Sequence, residues 1–189
     1  MSETRGHRPP GRTAFLALLG YILLLYVSAD LAFDLYVSVN NRIGQDTASI
    51  WMNGAFGAAG LAGFVFLLRR GITAGAWTAF LLISLAVVFC LMQLDLPAKR
   101  FHFFEYAPLT LLVLANVRFR CTDRYQYVWT LLAVSLVGLG DELAQGALPT
   151  RYFALMDVVL DSGAGLLTLA FVGFVLGADS LDEPPVGSG

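Results

Sequence analysis

The chain has 189 residues, of which 57% are hydrophobic, 13% aromatic and only 14% charged, with a formal net charge of -2. So few charges cannot cover the surface of a water-soluble domain, where about a quarter of residues are usually charged. The twelve basic residues lie scattered between apolar runs, which excludes the continuous basic patch of a nucleic-acid-binding protein.

Six apolar runs follow one another, at about 13–35, 48–68, 73–94, 103–118, 126–145 and 153–177. Each has the length of a membrane-crossing helix, and none shows the period-two alternation of a barrel strand. The expected fold is therefore all-α, a polytopic transmembrane helix bundle of about six spans forming a single domain over 13–177. Residues 1–12 form a basic tail carrying Arg5, Arg8 and Arg12. The first run also has features of a secretory signal, with those arginines ahead of it and the small residues VSAD at 27–30; cleavage there leaves five spans. Apolar character continuing through LAFDLYVSV favours a retained helix. The fourth run is short and contains Pro108. Small residues in NGAFGAAGLAGF (53–64) and DSGAG (161–165) allow close helix packing. The acidic, Pro- and Gly-rich segment 178–189 has almost nothing to bury and reads as disordered.

With six spans, a cytoplasmic N-terminus puts Arg5, Arg8, Arg12, Arg69, Arg70, Arg118, Arg120 and Arg124 inside, and only Arg42, Lys99, Arg100 and Arg151 outside. The excess of inner cations supports cytoplasmic termini. Three polar segments then meet the outer face. They carry Asp30 and Asp34; Lys99, Arg100, His102 and Glu105; and Asp141, Glu142, Gln145, Arg151, Asp157 and Asp161. Cys90 and Cys121 fall at opposite sides, so no disulfide is expected.

Helical spacing puts Asp141 and Glu142 on the face of Gln145, and Asp157 on that of Asp161. Arg151, after Pro149, is placed to reach either acidic pair or an anion from the headgroup region. In LPAKRFHFFEYAPL, Lys99, Arg100 and His102 precede Phe103, Phe104 and Tyr106, a mixture suited to the membrane interface. A cluster of ionisable groups at membrane depth costs about 2.5 to 3.5 kcal/mol per residue, and such residues usually line a bundle interior or a wet cavity. A solvated helix start, where acids complement the helix dipole, is the alternative for Asp157 and Asp161.

Together these segments resemble the VanZ-like family of membrane proteins, named for a member associated with teicoplanin resistance. The resemblance spans about 95–175. It rests on Lys99, His102, Phe103 and Tyr106; on Asp141, Glu142 and Gln145; and on Pro149, Arg151, Asp157 and Val158. The chain departs from the family pattern at Ala98 (Asp), Asp161 (Asn) and Ala164 (Gly). The resemblance implies a protein of the bacterial plasma membrane acting at the outer leaflet on cell-envelope lipids.

Three functions compete. The first is binding of an anionic lipid headgroup, a lipid-linked cell-wall intermediate or a lipophilic glycopeptide, with Lys99, His102, Tyr106, Asp141, Glu142, Gln145, Arg151 and Asp157 as binding residues. The second is a membrane-embedded enzyme acting on a lipid phosphate or similar headgroup. There His102 or Glu142 is the general acid or base, and Asp141, Glu142 and Asp157 offer oxygen ligands to a divalent cation. The third is a small proton-coupled transporter or channel with the acids as a relay. No cofactor motif is present.

Overall fold

The computed structural model describes residues 12–94, 97–148 and 151–177, without the side chains of 29, 30, 32, 33, 97 and 98. The expectations for Arg5, Arg8, the Asp30 side chain, Pro149 and the 178–189 tail lie outside the described residues. Everything regular within them is helical: α1 (Arg12–Ile43), α2 (Gln45–Arg70), α3 (Ala74–Met92), α4 (Pro97–Val117), α5 (Tyr125–Gly146) and α6 (Leu155–Ala170), which continues as a π-helical segment over Phe171–Leu176.

Each apolar run became one helix, and the ends follow local chemistry. Helix α1 runs on to Ile43, where Gly44 at φ 81° takes a conformation that side chains with a Cβ disfavour. Helix α2 ends in the same way at Gly71, φ 67°, whose N–H donates to the Leu67 carbonyl. The Thr73 hydroxyl opens α3 by accepting from the Ala76 N–H at 3.3 Å. Helix α4 begins at Pro97, two turns before the expected start, because proline is well tolerated in a first helical turn. Lys99, Arg100 and His102 therefore stand on a helix rather than in a loop.

Four helices are long and apolar enough to cross a membrane: α2, α3, α5, and α6 with its π-helical continuation. Their outward faces carry Trp51, Phe89, Met92, Trp129, Leu136 and Phe174, all exposed, while several of the most buried groups are polar: Thr110, Thr130, Glu142 and Asp161. A water-soluble protein distributes these residues the other way. Exposed apolar helix faces together with buried ionisable groups are the mark of an integral membrane protein.

The chain divides into two compact units. One takes Met1–Asp34 and Phe101–Leu166, the other Leu35–Arg100 and Leu167–Gly189. In the second unit Leu67, Ile72, Ala76 and Val175 are buried together, with Trp77, Phe80 and Phe171 packed around them. The rings of Trp77 and Phe80 meet edge to face at 5.8 Å. Arg100 is engaged inside this unit, donating to Asn53 Oδ1 at 2.7 Å and to the Leu94 carbonyl at 2.9 Å.

In the first unit, polar side chains tie helix to helix across an apolar core that includes Leu25, Phe103, Leu109, Val113 and Val134. Tyr21 donates to the Glu105 carbonyl and Tyr26 to the Val137 carbonyl, both at 2.8 Å, so α1 is fastened to α4 and α5. Asn116 of α4 donates to the Ala14 carbonyl at 3.1 Å. The hydroxyls of Ser135 and Ser162 join α5 to α6 at 2.8 Å. Glycine makes the closest packing possible: a Cβ at Gly165 would stand 3.1 Å from Val134 Cγ1 and 3.3 Å from Thr110 Oγ1.

The expectation for the 53–64 stretch is corrected. A Cβ at Gly54, Gly57, Gly60 or Gly63 would meet nothing within 4 Å among the described residues, and the same holds for Gly163. Those glycines mediate no close helix contact in the described chain.

Candidate functional site

The segment DELAQGALPTRYFALMDVVLD (141–161) ends α5, turns, and starts α6. On α5 the three-and-four spacing points Asp141, Glu142 and Gln145 inward, and all three are buried. Gln145 Nε2 donates to Asp141 Oδ2 at 2.9 Å, and Arg151 donates in turn to Gln145 Oε1. Glu142 Oε2 accepts from the Ala154 N–H at 2.8 Å. That N–H belongs to the start of α6, where donors lack intrahelical partners, so Glu142 caps the last helix. Gly146 lets the turn fold this tightly, since a Cβ there would approach Phe153 Cβ to 3.0 Å and its backbone nitrogen to 3.2 Å.

Nearly two turns into α6, Asp161 is fully buried and its Oδ1 lies 2.7 Å from His102 Nδ1 of α4. The pair is asymmetric, because His102 keeps 15% of its surface exposed against 0% for Asp161. Solvent or ligand therefore meets the imidazole, with the carboxylate behind it. Space for that carboxylate comes from α5: a Cβ on Gly138 would sit 2.7 Å from Asp161 Oδ2. Tyr106, one turn along α4 from His102, stacks on the imidazole with ring centroids 6.3 Å apart and planes 29° apart. Its hydroxyl lies beside Asp161 and Asp141 but makes no well-formed hydrogen bond. Asp157 is half-buried in the first turn of α6, within electrostatic range of His102 and Glu142, and Glu105 lies within range of His102 and Asp161.

The first unit thus brings together His102, Tyr106, Asp141, Glu142, Gln145, Arg151 and Asp157 from the residues singled out in the sequence. Lys99 is half-buried and belongs to the second unit, as does Arg100. Spacing alone missed the partnership of Asp161 with His102, and with it Gly138. A four-residue interval from Asp157 to Asp161 was the available signal for the first; GLGD at 138–141, glycines one turn ahead of a buried acid, was the signal for the second.

Chemically, a carboxylate on Nδ1 fixes the tautomer and orientation of an imidazole and leaves Nε2 for a substrate or ligand. Among the described residues no three His, Cys, Asp or Glu side chains are grouped to hold a metal ion, and Glu142 is directed to a backbone N–H while Asp141 is directed to Gln145. Cys90 and Cys121 are free thiols. Comparison with protein families, with curated proteins and with solved structures finds no match.

Proposed function

We propose that the chain is a VanZ-like integral membrane protein of the cell envelope that binds the polar headgroup of an envelope lipid, a lipid-linked wall intermediate or a lipophilic glycopeptide at the outer leaflet. The observation that carries this reading is the buried cluster around the His102–Asp161 pair at 2.7 Å, inside helices whose outward faces are apolar. Keeping so many ionisable groups at membrane depth is costly, and a ligand-binding role accounts for the cost. The resemblance of 95–175 to the VanZ-like pattern supports the same reading, since most of the matching side chains meet in this cluster. The test is binding of a headgroup-labelled lipid to the detergent-solubilised protein. His102→Gln keeps a group able to hydrogen-bond Asp161 but removes the imidazole, and it should weaken binding about tenfold, as expected for a charge-assisted contact. Unchanged affinity in a folded variant removes the cluster from the function.

A second reading is favoured by one feature, the partial exposure of His102 with a carboxylate at its back. In it the protein is an enzyme acting on a lipid phosphate or similar headgroup, with His102 as general base positioned by Asp161. Glu142 is the weaker candidate base because it caps Ala154. Turnover of a phospholipid substrate that survives intact in His102→Gln rules this reading out.

The proposed topology has six spans and cytoplasmic termini, which puts the α4–α5 connection on the inner side. Cys121 lies there, 3.1 Å from Asp123 Oδ1. That hydrogen bond, with smaller desolvation and charge effects, pushes the thiol above its ordinary range. Because the thiolate is the reactive form, maleimide labelling of Cys121 should be slow at neutral pH and accelerate as pH rises. Asp123→Asn should speed it several-fold at neutral pH. A membrane-impermeant maleimide should reach the residue only after the cells are opened; labelling of intact cells inverts the topology.

A further inference from the structure

The headgroup-binding reading leaves open which chemical group the cluster recognises, and the geometry points to a primary ammonium rather than a phosphate; this inference rests on that reading. Among the buried side-chain atoms of the cluster, the Tyr106 hydroxyl, Asp141 Oδ1 and Asp161 Oδ2 make no well-formed hydrogen bond, Tyr106 and Asp161 standing only in loose polar contact with each other. Their side chains are 1%, 7% and 0% exposed. Each lies within electrostatic range of the other two. Two of the three are carboxylate oxygens, which only accept from a ligand when ionised, and the tyrosine oxygen can accept through its lone pairs while its O–H turns toward Asp161. A complementary group must therefore donate.

A phosphate does the opposite. It brings acceptors and negative charge to a site that already holds Asp141, Glu142, Asp157, Asp161 and Glu105 against Arg151 and His102. Arg151 is hydrogen-bonded to Gln145, which itself is hydrogen-bonded to Asp141, so the guanidinium balances the acids already present. A primary ammonium carries one positive charge and three N–H donors, matching the three open acceptors in number. The stacked rings of Tyr106 and His102 add aromatic surface, and a tyrosine face attracts cations. Quaternary ammonium groups have the charge without the donors. They are the discriminating comparison.

The experiment uses the full-length protein in detergent and short-chain phospholipids that differ only in headgroup: ethanolamine, choline and glycerol. Binding is read by native mass spectrometry and by thermal shift, with free ethanolamine as a soluble arm. The ethanolamine lipid should bind about tenfold more tightly than the choline lipid, the scale of one hydrogen bond to a charged group, and the glycerol lipid more weakly still. Asp141→Asn and, separately, Tyr106→Phe should each narrow the gap between ethanolamine and choline while the protein still melts cooperatively. If free ethanolamine binds as tightly as the ethanolamine lipid, the ammonium is recognised without its lipid and the natural ligand is a soluble amine. Equal binding of ethanolamine and choline lipids, or preference for the glycerol lipid, overturns the ammonium inference while leaving headgroup binding intact. No lipid binding that depends on His102 overturns both.

Discussion

Asp161→Ala should destabilise the protein by about 3 to 5 kcal/mol, the range for removing one partner of a buried charged pair. The carboxylate is fully buried, holds His102 at 2.7 Å and lies beside the Tyr106 hydroxyl, so truncation strips two side chains of their polar neighbour where water has little access. Asp161→Asn is expected to behave differently. An amide oxygen still accepts from Nδ1–H of a neutral imidazole, and the cost should fall to about 1 kcal/mol, that of an ordinary hydrogen bond. A neutral pair would fill the same space. The double variant His102→Phe with Asp161→Leu removes both polar groups together and should recover most of the loss seen in Asp161→Ala. Unfolding in detergent, followed by helical circular dichroism against increasing sodium dodecyl sulfate, gives the ordering. A loss below about 1 kcal/mol for Asp161→Ala would mean that the pair is solvated and that the cluster is not a closed interior.

The contrast between the fold and the site in legibility has a physical origin. Each of the six apolar runs appears as a helix because run length and hydropathy are local properties, and even Pro108 inside α4 does not divide the fourth run. The ends moved only where a local residue decided them, at Gly44 and Pro97. The face of α5 carrying Asp141, Glu142 and Gln145 was equally legible, since three-and-four spacing needs no knowledge of the neighbour. Partnership is another matter. His102 and Asp161 are 59 positions apart, and nothing in either helix specifies that their polar faces meet. Glu142 is a candidate acid or base in the sequence, yet its Oε2 accepts from the Ala154 N–H, a contact created by the turn after Gly146. The glycines mislead for the same reason. The repeated glycines of 53–64 form the denser pattern, while the contacts are made at Gly138 and Gly140 and, as the DSGAG stretch leads one to expect, at Gly165.

Gly138→Ala should therefore cost about 1 to 3 kcal/mol, the usual penalty for forcing an extra methyl group into a packed interior. The new Cβ would lie 2.7 Å from Asp161 Oδ2, 3.0 Å from its Cβ and 3.2 Å from its Cγ, and the side chain it meets is held from the other side by His102. Gly57→Ala changes a helix of the same apolar character at a position where the added methyl meets nothing within 4 Å. With no clash and a better helix former, it should leave stability unchanged or raise it by up to about 1 kcal/mol. Propensity alone predicts the same sign at both sites, so opposite signs isolate the packing effect. Combining Gly138→Ala with Asp161→Ala sharpens the assignment further. Truncation of Asp161 removes the two contacts to the carboxyl group and leaves only the one to Cβ, so the penalty of Gly138→Ala should shrink by about half or more in that background. Additive losses would place the strain somewhere other than between Gly138 and Asp161, and would separate the glycine from the histidine pair it is argued to accommodate.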